Sequence, residues 1–152
     1  MSQSEQHHRL VITTALAIEQ RYPKMEIISD LIGNPGESEP VPPLIGGYRP
    51  DIIARSNSTF AQIVIAEAKT DHDIDRQHTN DQISAFVDYL DSLRRGAGTF
   101  ILSVNGQAAG QARTVLNFNF RKRVTPYLAI KLFDGQDFWT LGSPEETLWC
   151  LS

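Results

Sequence analysis

Residues 49–69 read RPDIIARSNSTFAQIVIAEAK, in which two β-branched apolar runs, RPDIIAR at 49–55 and QIVIAEAK at 62–69, flank Ser56, Asn57, Ser58 and Thr59. Two such runs around a short polar break form the pattern of an antiparallel hairpin. Pro50 has no N–H to give to a ladder, so it belongs at the start of its strand or on an edge, and Asp51 falls at the mouth of the sheet. Side chains alternate faces along a strand, so Glu67 and Lys69 project from one face and Ala68 from the other.

Upstream, Val11, Ala15, Ile18 and Tyr22 recur at helical spacing over residues 8–22, and Pro23 ends that helix. Residues 25–32 are rich in Ile and Leu and predict a strand, followed by a proline-rich loop over 33–47. Downstream, after the polar loop TDHDIDRQHT, Ile83, Phe86, Val87, Leu90 and Leu93 mark a second amphipathic helix ending before Gly96 and Gly98. TFILSV at 99–104 is apolar enough for a strand covered on both faces, and a helical connection favours parallel pairing with an earlier strand. Residues 107–117 carry a weaker helical signal, and 127–133 and 138–141 predict a last strand pair around Asp134, Gly135 and Gln136. The order predicts one α/β domain over residues 1–152, a three-layer sandwich with a mixed central β-sheet.

The end of the second hairpin strand carries the chemistry. Charged side chains directly after IVIA are costly beside a core unless they are paired, hydrated or bound to a metal. Asp51 and Glu67 together make an oxygen-rich site for a hard cation such as Mg2+, to which the backbone carbonyl of Ala68 can add a ligand. Such a cation acidifies a bound water and stabilises charge on a phosphodiester, and Lys69 would orient the attacking water. The structural alternative is a cross-strand ion pair on a solvated sheet end, worth about 0–1 kcal/mol if exposed.

Pro50-Asp51 followed by Glu67-Ala68-Lys69 resembles the PD-(D/E)xK, or restriction-endonuclease-like, nuclease superfamily, over roughly residues 19–104. The resemblance implies an αβββαβ core and Mg2+-dependent hydrolysis of DNA, with Mn2+ able to substitute. It also implies Asp51 and Glu67 as metal ligands and Lys69 as the catalytic lysine. Members often add an acidic residue on the first helix, matched by Glu19, and some carry a Gln with an aromatic residue four positions on, matched by Gln82 and Phe86. The runner-up reading is a catalytically silent nuclease-like module that binds DNA or protein.

A chain of 152 residues with 41% hydrophobic and 21% charged residues is ordinary globular material, which argues against disorder and a coiled coil. The one cysteine, Cys150, excludes a disulfide framework and a four-cysteine zinc site. Neither a signal-like apolar start nor a membrane-length apolar run is seen, so a cytoplasmic protein is expected. The net charge of −4 argues against a non-specific nucleic-acid coat, so DNA would be gripped by a local groove, a homodimer or a larger complex. Arg121, Lys122 and Arg123 are candidate phosphate contacts, whereas His72 and His78 are expected to be exposed. Asp71, Asp73 and Asp75 begin like a calcium loop, but Arg76 and Gln82 stand where Gly and Glu are needed. Neither GxSxG nor a phosphate-binding GxxxxGK[ST] occurs.

Overall fold

The structure, a computed structural model, describes residues 2–30, 41–56, 61–93 and 97–142. Helix α1 spans Gln3–Arg21, strand β1 Met25–Ser29, β2 Ile52–Ser56 and β3 Ile63–Ala68. They are followed by α2 at Gln77–Leu93, β4 at Gly98–Ser103, α3 at Ala109–Phe120, β5 at Leu128–Phe133 and β6 at Phe138–Thr140. Short 3-10 turns at Gly106–Ala108 and Arg121–Arg123 bracket α3. Most of the hairpin turn, residues 33–40 of the proline loop, Arg94, Arg95, Gly96, Pro144 and Cys150 lie outside the described residues.

Among the described residues the strands form one six-stranded sheet in chain order. β2 pairs antiparallel with β1 and with β3, as the 49–69 pattern requires. β3, β4 and β5 are parallel neighbours, joined through α2 and α3, and β6 returns antiparallel on β5. Both crossovers step in the same direction along the sheet, so crossovers of one hand put both helices on one face. On that face Ile83, Phe86 and Leu90 of α2 and Val115 and Leu116 of α3 pack on Ile53, Ile65, Phe100 and Leu132. On the other, Val11 and Ile18 of α1 pack on Ile52, Ala54, Val64, Ala66 and Ile101. The result is a layer of α1, the mixed sheet, and a layer of α2 and α3.

Every residue of β4 is buried, which accounts for its apolar run. Its one hydroxyl at the carboxyl end, Ser103 Oγ, is satisfied 2.5 Å from Thr14 Oγ1 of α1.

Two helices begin earlier than apolar periodicity predicts. α1 starts at Gln3 because Ser2 caps it, its Oγ accepting from the Glu5 amide at 3.2 Å, and Ser2 and Glu5 have the spacing of a capping box. α2 starts at Gln77, where the Thr79 hydroxyl donates to the Asp73 carbonyl and closes the preceding loop. Among the described residues, no helix is long and apolar enough to cross a membrane.

Candidate active site

Parallel pairing brings the carboxyl ends of β3, β4 and β5 to one end of the sheet, and antiparallel pairing puts the start of β2 there as well. Ligands of open α/β sheets gather at such carboxyl ends. The ladder pairs Ile52 with Ala66, so the next position sets Asp51 opposite Glu67. Asp51 precedes the first ladder residue, and its Oδ2 accepts from the Ala68 amide at 2.8 Å. The N–H and C=O of one strand residue face the same neighbour, so the Ala68 carbonyl also lies on the β2 side.

Both carboxyl groups are taken from water: Asp51 is 9% and Glu67 3% exposed. Burial, and then a hydrogen bond with Asp51, push the Glu67 carboxyl well above its usual range. Burial also works to raise Asp51, but hydrogen bonds from Glu67, His7 and the Ala68 amide outweigh it and hold Asp51 below its ordinary value. The two carboxyls thus titrate as a pair whose members are pushed in opposite directions, Glu67 up and Asp51 down. Half-buried Lys69 lies close enough to favour the charged form of Glu67 and oppose that of His7.

His7 is the residue that the sequence reading missed. Its Nε2 is 3.2 Å from Asp51 Oδ2, and that hydrogen bond raises the imidazole above its ordinary value against the opposing effect of burial. The signal was present, because the Ser2–Glu5 cap places His7 inside α1 rather than in a tail before it.

Of the expected site residues, Asp51, Glu67, Ala68 and Lys69 come together, whereas Glu19 and Arg121–Arg123 lie elsewhere. Glu19 does not join them: it is exposed and twelve residues beyond His7 on α1, about 18 Å along the axis at 1.5 Å per residue. Arg121, Lys122 and Arg123 lie at the opposite end of the sheet, because α3 starts beyond the carboxyl end of β4 and runs back toward the start of β5. There Arg123 pairs with Asp88 at 2.7 Å, and Arg121 donates to Asn117 at 2.6 Å.

Gln82 is in the second turn of α2, near the site's end of the sheet, and its buried Oε1 has no hydrogen-bond partner among the described residues. Phe86, one turn on, is fully buried in the core. His72 is exposed beside Asp71, while His78 packs edge-on against Tyr48 with ring centroids 5.5 Å apart.

Two buried carboxyl groups set opposite each other form a hard-oxygen donor set of the kind that suits a divalent cation. Among the described residues no group of three or more His, Cys, Asp or Glu side chains is arranged to hold a metal ion. A cation held by two carboxylates would keep several waters, as Mg2+ does. In comparisons with known proteins, no family model and no curated protein matches the chain.

Proposed function

We propose that this chain is a metal-dependent nuclease of the PD-(D/E)xK, restriction-endonuclease-like type that hydrolyses DNA phosphodiester bonds. The observation that carries the reading is the buried Asp51–Glu67 pair at the carboxyl end of the parallel strands, followed two residues on by Lys69. The element order from α1 to β4 is helix, three strands, helix, strand, the αβββαβ order of that core.

Asp51, Glu67 and the Ala68 carbonyl would hold Mg2+, with Mn2+ as a substitute. When bound, the cation would supply Lewis acidity and lower the pKa of a coordinated water. Lys69 orients the attacking water and places a positive charge where negative charge develops on the phosphate. His7 fixes the Asp51 carboxylate from the α1 side, as outer partners of metal ligands commonly do.

The test is cleavage of linear duplex, single-stranded, flap and four-way-junction DNA in Mg2+, Mn2+ or chelator. Native protein should cut at least one substrate with metal and none with chelator, and Lys69→Ala and Asp51→Asn should each lose about a hundredfold or more in rate. Equal behaviour of all three proteins would refute the reading.

The second reading, a silent nuclease-like module that binds DNA or protein, is favoured by the His7–Asp51 pair, which already balances one carboxylate without a metal. It requires that divalent cations leave the protein's stability unchanged.

A further inference from the structure

A groove of about 580 Å3 opens at the same end of the sheet as the carboxylates, within the roughly 300–1,000 Å3 of ordinary ligand clefts. One wall is α1, through Gln6, Arg9 and Thr13, a stripe at helical spacing. The other walls are Thr70, which follows Lys69 directly, Asn105 beyond β4, and Gln136 in the β5–β6 turn. His7, which reaches Asp51, is next to Gln6 in α1, and Thr70 follows Lys69, so groove and carboxylates share one end of the sheet, although neither carboxylate lines the groove.

Most of the polar lining is already engaged. The Thr13 hydroxyl donates to the Arg9 carbonyl at 2.9 Å, and Asn105 Oδ1 accepts from the Ala108 amide at 3.1 Å. The acidic lining residue, Asp134, accepts from the amides of Gln136 and Asp137 and from Trp139 Nε1, at 2.9, 2.7 and 3.1 Å. Arg9 is the one Lys or Arg among the described lining residues, and it is exposed. No side-chain hydrogen bond or ion pair engages the Arg9 guanidinium or the Gln6 amide among the described residues.

A hydrogen-bonding groove whose one carboxylate, Asp134, is engaged by the β5–β6 turn and whose one guanidinium is uncommitted, at the same sheet end as the proposed phosphodiester-cleaving centre, has the chemistry of a nucleic-acid backbone channel. We infer that this groove holds the DNA strand flanking the cleaved bond, with Arg9 pairing to a neighbouring backbone phosphate and Gln6 hydrogen-bonding the same nucleotide. This rests on the nuclease reading and assigns the strand's path to the α1 side, away from Arg121–Arg123. Arg9 is a substrate-positioning residue, so its loss should act on binding.

The experiment compares native protein, Arg9→Ala, Arg9→Lys and Lys122→Ala in steady-state cleavage of the preferred DNA over a salt series, with matched thermal melts as the folding control. Arg9→Ala should raise KM about tenfold with kcat within about twofold, as expected for one lost charge-assisted contact. Its salt slope should fall by about 0.7–0.9, the increment for one phosphate. Arg9→Lys should recover the slope, and Lys122→Ala should match native protein. The inference is overturned, with the nuclease reading intact, if Arg9→Ala matches native protein, if it lowers kcat at unchanged KM, or if Lys122→Ala takes the loss instead. If native protein cuts no DNA at all, both readings fall together.

Discussion

His7 Nε2 lies 3.2 Å from Asp51 Oδ2, joining the first turns of α1 to the mouth of β2 across a separation of 44 residues. The hydrogen bond stabilises the charged imidazole, so the folded-state pKa of His7 is raised. A raised His pKa contributes stability that is fully present below the unfolded value, near 6.5, and is lost as pH rises through the folded value. NMR titration should therefore place the His7 midpoint above about 6.5. Asp51→Asn should bring it down, and so should Mg2+, because a cation on Asp51 repels the imidazolium. An unperturbed midpoint in native protein would refute the pairing.

Glu67→Gln replaces a carboxyl that burial and Asp51 push well above its usual range with a neutral amide of nearly the same shape. A carboxyl with a raised folded pKa destabilises the fold as pH climbs through that value, and the amide does not. In metal-free buffer at pH 8 the variant should melt about 2–4 °C above native protein, equivalent to about 1 kcal/mol at this size. Cleavage should fall a hundredfold or more, a gain in stability at the expense of activity. A variant that melts lower at pH 8 would count against a raised Glu67 carboxyl.

Gly46 sits at φ +59, and a Cβ built there would be 2.8 Å from the Ala85 Cβ on α2. Gly46→Ala should cost about 1–3 kcal/mol in urea unfolding, from overpacking added to a left-handed backbone. Gly47, at φ +88 with open space around its Cβ position, carries only the backbone cost, and its alanine variant should lose about 1 kcal/mol. Equal losses at both positions would show that the loop does not press on α2.

Asp134 holds the β5–β6 turn. Partial burial works to raise its carboxyl, but the Asp137 amide, Trp139 Nε1 and the Gln136 amide outweigh it and lower the pKa. A depressed carboxylate contributes stability that is fully present above the unfolded value, near 3.9, and is lost as pH falls through the folded one. Native protein should therefore be more stable than Asp134→Asn at pH 7, with the difference shrinking below about pH 4. A difference independent of pH would remove the charge from the account.

The hairpin at 49–69, the buried β4 run and the alternation of strands and helices were legible in the sequence because each is a local pattern: period two, a continuous apolar stretch, period 3.6. The same parity put Glu67 and Lys69 on one face, and antiparallel pairing set Asp51 opposite Glu67. Glu19 was misplaced because periodicity tells which face of a helix is buried, not which of its ends meets the strand mouths, and the His7 end of α1 is the one that arrives. Arg121–Arg123 lies away from the carboxylates for a topological reason that the sequence does not display: a helix joining two parallel strands carries the chain back to the opposite end of the sheet.

The most direct test of the central claim, that Asp51 and Glu67 form a divalent-cation site, is thermal unfolding of native protein, Asp51→Asn and Glu67→Gln during titration with Mn2+ or Mg2+. At a hundred times the dissociation constant, binding stabilises by about 2.7 kcal/mol. Native protein should gain about 5–10 °C on that basis, and both variants should lose most of the gain. An unchanged native midpoint, or the same rise in all three proteins, would contradict the account and leave the carboxylate pair a structural contact.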